Sequence, residues 1–134
     1  MSQESVEVVR AVLWAFAEGN RDKALALVDP EVVIDATRRA FNPATYVGVE
    51  GVQQMFAAMD EAWEEVRLAE QEFLDAGAQV VVISRMIGKG RGSGIEVERP
   101  VNGQVWTIRA GRVIRLEIGY TNRQAALEAA GLSE

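Results

Sequence analysis

Two charged side chains stand among apolar neighbours, and both types can do chemistry. Asp35 closes the β-branched run Val32-Val33-Ile34. At the wall of an apolar pocket, desolvation would penalise its charged form and raise its pKa, which suits a general base working near neutrality. The alternative is local: aspartate favours turns, and Asp35 is placed to cap the following loop through Thr37 or a backbone amide. Arg85 interrupts the strand-like segment VVVISRMI and by alternation shares a face with Val81, Ile83 and Ile87. A buried guanidinium needs an anionic partner, and Asp35 and Glu117 are available. Arg85 is then either half of a structural ion pair or a cation offered to a substrate carboxylate or enolate. The segment GKGRGSG, with Lys89 and Arg91, lacks the G-x-G-x-x-G spacing and joins two strands instead of opening a helix. It has no phosphate-cradle geometry and is expected to be a hairpin tip.

What the chain lacks narrows the chemistry further. Its 134 residues contain no cysteine and no histidine. Disulfides, thiolate nucleophiles, serine–histidine–acid triads and the usual nitrogen or sulfur zinc sites are therefore excluded. No acidic cluster has the loop spacing of an oxygen-ligand metal site, so no metal and no cofactor are expected. A net charge of −6 argues against a nucleic-acid surface. No basic leader or membrane-length apolar run is present, so a soluble cytoplasmic protein is expected.

The elements that must position these residues follow from periodicity. Val6, Val9, Leu13 and Phe16 repeat at helical spacing over 4–18, and Gly19 stops the helix. Asn20 caps a second, shorter helix with Ala24, Leu25 and Val28 that ends before Pro30. Residues 32–34 read as a strand and 36–48 as a loop. Helical period returns from Val49 to Val66 through Val52, Met55, Phe56, Met59 and Trp63. Strands are expected over 67–74, 79–87, 94–101, 104–109 and 112–120, with a tail helix over 124–130. Asn102-Gly103 alone signals a hairpin, but Pro100 just before it favours a bulge within one long, curved strand. Helices first and strands later point to a single α+β domain over 1–134 with a largely antiparallel sheet.

From about Val6 to Leu132 the chain resembles the nuclear transport factor two-like superfamily, in particular its SnoaL-like branch. The resemblance rests on AFAEGNRDKALALVDPEVVID, on the GRGSGIEVE hairpin, and on VWTIRAGRVIRLEIGY followed by ALEAAGL. It implies a cone: a strongly bent antiparallel or mixed sheet wrapped around three helices, with a deep apolar pocket. That branch includes ketosteroid isomerases, polyketide cyclases, limonene-epoxide hydrolases, dehydratases and members with no known activity, so the fold alone decides little about chemistry. By the same resemblance Asp35 matches the isomerases' general-base aspartate. Gln104 matches the position of their proton-donating acid, where an amide donates a hydrogen bond but exchanges no proton. The isomerases' oxyanion tyrosine has no counterpart, its place being taken by Val12 with Trp14 nearby. Arg85 resembles the arginine of the epoxide hydrolases' acid–arginine–acid set, but Ile87 and Ile118 replace the acids and exclude that mechanism.

Two functions follow as expectations. One is a cofactor-free isomerase, cyclase or dehydratase-type enzyme, with Asp35 as base and Arg85, Gln104 or Tyr120 polarising a carbonyl. The other is a non-catalytic ligand-binding or dimeric scaffold module. Either way the partner is a small apolar or aromatic molecule in a cavity of roughly 300 Å³ or more. Its expected lining is Trp14, Met55, Phe56, Met59, Trp106, Leu116, Ile118 and Tyr120. A homodimer is expected through the outer sheet face, with Val80, Val82, Ser84 and Met86 presented there beside Val105 and Thr107.

Overall fold

The computed structural model describes residues 2–39 and 42–133, so Ala40 and Phe41 of the expected 36–48 loop lie outside the described residues. The elements run α1 (Ser2–Ala17), α2 (Arg21–Ala26), β1 (Val28–Asp35), β2 (Thr45–Val47), α3 (Gly48–Ala62), β3 (Trp63–Ala76), β4 (Gln79–Gly90), β5 (Glu96–Arg109), β6 (Arg112–Tyr120) and α4 (Arg123–Ala129). The six strands form one mixed sheet in the order β2-β1-β6-β5-β4-β3. β1 runs parallel to β6, and every other neighbouring pair is antiparallel. Among the described residues no helix is long and apolar enough to cross a membrane.

Local chemistry sets the element ends. The Asn20 side chain accepts a hydrogen bond from the Lys23 amide, and Asn122 does the same for the Ala125 amide at the start of α4. Ala110 and Gly111, both at positive φ, form the two-residue turn that matches the twist of β5 and β6. At the β4–β5 tip, Arg91 Nε donates to the Asp60 carbonyl at 2.5 Å, satisfying an orphan acceptor in the last turn of α3. The glycine-rich segment is thus a hairpin tip that clamps a helix end.

Two irregularities bend the sheet. Register shifts occur between Ala69 and Glu72 of β3, where Glu70 has positive φ, and between Ser84 and Met86 of β4. Opposite the second shift lies the stretch from Arg99 to Asn102, so Pro100 sits in a bulge of one continuous β5, as the proline implied. The bent sheet has helices on its concave side. There α1, α2 and α3 contribute Val9, Leu13, Ala24, Val52 and Phe56 to one core with Ile34, Val80, Val82, Trp106, Val113 and Leu116.

Four expectations need correction. Val28, expected in the second helix, opens β1, because α2 stops at Ala26. α3 stops at Ala62, and Trp63 opens β3 with extended backbone. A short strand, β2, lies inside the expected loop and pairs with the end of β1. The faces of β4 are also reversed. Val80 and Val82 pack inward, and Ser84 pairs across the sheet with Asn102. Met86 faces the interior cavity, while Val81 and Val105 face outward under Ala126 and Leu127 of α4. A strand covered on both faces reads as a continuous apolar run, so alternation has no phase to follow. Of the residues expected to form a dimer surface, Val80, Val82, Ser84 and Met86 therefore lie on the inner side, while Val105 does face outward but is covered by α4.

Candidate functional site

The concave core is hollow. A cavity of about 200 Å³ lies between the sheet and the helices, smaller than expected. Met55, Phe56 and Met59 reach it from α3, Trp106 from β5, and Leu116 and Ile118 from β6. Val12, Leu13 and Phe16 of α1 complete the wall on the helical side. The Trp63 ring joins them because Gly88 opposite has no side chain; a Cβ there would meet the ring at 2.8 Å.

Gln104 lines the cavity, and its Oε1 accepts a hydrogen bond from Trp106 Nε1 at 3.1 Å. This bond fixes the indole and the amide together in the cavity wall. Trp14 does not reach the cavity: it turns to the opposite side of α1 from Leu13 and is 65% exposed. Tyr120 is also outside the lining. It packs against the outer core under α4, and its hydroxyl donates to Glu117 Oε1 at 2.6 Å. Burial and then that bond to a carboxylate push its pKa up to about 12.

Asp35 stands on the wrong face for a pocket base. It lies beside Glu117, which lies beside Val105, and that row faces outward. The last inward residue of β1 is Ile34, and Ala36, two positions on, is fully buried and carries no ionisable group. The carboxylate accepts from the Thr37 hydroxyl at 2.6 Å and the Thr37 amide at 3.0 Å. Its other oxygen meets Arg115 at 3.1 Å and Arg38 at 3.3 Å. Arg115 also reaches Glu117 at 3.3 Å, and the Arg38 guanidinium lies 4.5 Å over the Tyr120 ring. The Thr37 hydroxyl and then its amide, with lesser help from Arg38 and Arg115, hold the carboxyl below its usual pKa against the opposing effect of burial. The expected rise is reversed, because donors rather than apolar walls surround the group.

Arg85 does not meet Asp35 or Glu117. On the outer face it pairs with Glu70 at 2.9 Å and Glu98 at 3.1 Å, with 39% of its side chain exposed. The three expected catalytic side chains are therefore not brought together: Gln104 faces the cavity, while Asp35 and Arg85 belong to separate outer networks.

The cavity does carry charge, from Arg39 and Arg99, which the sequence did not single out; Asn102 adds a neutral amide to the wall. Arg39 is carried by the segment after β1, which packs tightly on Gly119; a Cβ at that glycine, whose φ is +101°, would meet the Arg38 and Arg39 backbone. One Arg39 terminal nitrogen donates to the Tyr46 hydroxyl at 3.3 Å, while its buried Nε meets no acceptor among the described residues. Arg99 precedes the Pro100 bulge and lies opposite Met86, which turns it inward. Hints existed for Arg99, since the bulge resets the phase of β5, but none for Arg39.

Residues 9–117 match the model of the SnoaL-like domain family, and the chain belongs to that family. No curated protein matches it. Among solved structures it is similar to a nuclear transport factor two-like protein of unknown function from Burkholderia pseudomallei, at 23% identity and TM-score 0.76, covering 86% of this chain and 88% of that one. A candidate polyketide cyclase from Xanthomonas campestris is similar at 19% identity and TM-score 0.77, with 96% and 98% covered. A hypothetical protein with a ketosteroid isomerase-like fold from Catenulispora acidiphila is similar at 20% identity and TM-score 0.72, with 94% and 93% covered. At these identities the likeness establishes the fold.

Proposed function

We propose that this SnoaL-like domain is a receptor for a small, largely apolar molecule held in the cavity between the concave sheet and α1 and α3. One observation carries the reading: the wall is apolar over most of its extent and, among the described residues, contains no carboxylate. An isomerase or cyclase of the proton-transfer type needs a base within hydrogen-bond reach of the abstracted proton. Asp35 and Glu117, which adjoin the lining residues Ile34, Leu116 and Ile118, are committed to arginines on the other face. Gln104, Asn102 and the two arginines offer hydrogen bonds and positive charge, which bind and orient a polar group without accepting a proton.

Titration with the neutral, apolar dye phenylnaphthylamine tests this reading. The wild-type protein should bind it with a large fluorescence gain. In Met55→Trp the added ring fills the cavity from α3, and affinity should fall by about tenfold or more while the variant still folds. Absence of binding to the wild type, or equal binding to both, would overturn the reading.

A further inference from the structure

We infer that the cavity's ligand carries one anionic group, a carboxylate or an acidic enol, seated between Arg39 and Arg99, with its apolar body toward Ala24 and Val113. The inference deepens the receptor reading above and rests on it.

Charge is the first argument. The protein as a whole is acidic, with 20 aspartates and glutamates against 14 lysines and arginines. Most of its arginines near the site are consumed by carboxylates: Arg38 and Arg115 by Asp35 and Glu117, and Arg85 by Glu70 and Glu98. The cavity reverses that balance. Its only charged lining residues among those described are Arg39 and Arg99, and neither forms an ion pair. A buried guanidinium N–H without an acceptor is costly, and among the described residues Arg39 Nε meets none. A ligand oxygen would satisfy it.

Placement is the second argument. Arg99, Asn102 and Gln104 follow one another along the inward side of β5. Gln104 is opposite Ile118, and the adjacent Gly119 abuts the backbone of Arg39. The polar groups thus collect at one end, where both arginines are partly exposed to solvent. Beyond Trp106 and Leu116 the lining is entirely apolar through Val113, Val28 and Ala24. A cavity with a cationic mouth and an apolar floor fits a molecule of the same polarity along its length. Guanidinium forks match a planar carboxylate or enolate in two-point contact. More highly charged ligands fit poorly, since nothing past the mouth could solvate a second anion.

Isothermal calorimetry with naphthylacetate and its neutral amide, naphthylacetamide, separates the two levels of the argument. The wild-type protein should prefer the acid by about tenfold or more. That preference, a ratio from which general damage to the cavity cancels, should shrink several-fold in Arg39→Met and in Arg99→Met. In the double variant it should fall to about one. Should Arg39→Met fail to fold, because Tyr46 loses its partner, Arg99→Met alone still decides. Equal affinity of the wild type for acid and amide, or a preference that survives in the double variant, overturns the anion inference and leaves the receptor reading standing. If neither compound binds, and the neutral dye does not either, both fall.

Discussion

Asp35→Ala should lower the stability of the fold by about 2 kcal/mol, and so the thermal midpoint by roughly 4–8 °C, while cavity binding changes by less than about twofold. The substitution removes an acceptor for two Thr37 donors and strands the Arg115 and Arg38 guanidiniums beside one remaining acid, Glu117. The Asp35 side chain is only 15% exposed, which makes the loss substantial. Its partners Arg115 and Arg38 are 42% and 30% exposed, and solvent screening keeps it well below that of a fully buried pair. The effect should depend on acidity in a fixed direction. The folded carboxyl titrates below its ordinary value of 3.8. Its contribution is therefore complete above that value and is lost as pH falls through the depressed one. Thermal midpoints of wild type and variant should differ at neutral pH and converge as the pH falls below the depressed value. A variant that melts like the wild type but no longer binds or turns over a ligand would return Asp35 to the site.

Trp106→Ala should cost more, about 3–5 kcal/mol. The indole is 3% exposed, sits in the central core opposite Leu116, and forms part of the cavity wall. Because the space beside it is already hollow, neighbours cannot collapse to fill the gap. Loss of the ring also leaves Gln104 Oε1 without its donor. Trp106→Phe separates the two contributions, since it keeps most of the apolar area and loses only the hydrogen bond. Its cost should be about 1 kcal/mol. Chemical denaturation of the two variants reads the difference directly, and equal losses would mean that the hydrogen bond rather than packing dominates.

Most of the architecture was legible because its signals are local. Asn20 and the spacing of Val6, Val9 and Leu13 act within a few residues, and the Pro100 bulge came from a single residue without a backbone N–H. The sides of the sheet were less legible. In VVVIS both faces are apolar because helices cover one and α4 covers the other, so the phase of β4 needed long-range information. For Asp35 too the run Val32-Val33-Ile34 is apolar throughout, and the phase came only with burial. Val32 and Ile34 alternate inward, which turns Asp35 outward; the family resemblance suggested a role that this alternation opposes. Trp14 sits on a helix whose inward stripe, Val9, Leu13 and Phe16, already excluded it. Arg39 could not have been found, because its place depends on the approach of its segment to Gly119, far away in sequence.

The three tryptophans allow the most direct test of the central claim that the ligand enters the concave cavity. Trp63 and Trp106 line it, and Trp14 stands exposed on the far side of α1. In a nitrogen–proton correlation spectrum each contributes one indole signal, assignable by single Trp→Phe substitutions. On titration with naphthylacetate, the Trp63 and Trp106 signals should shift together and saturate, while the Trp14 signal stays in place. Movement of Trp14 with the other two unchanged would put the ligand outside the cavity and contradict the account.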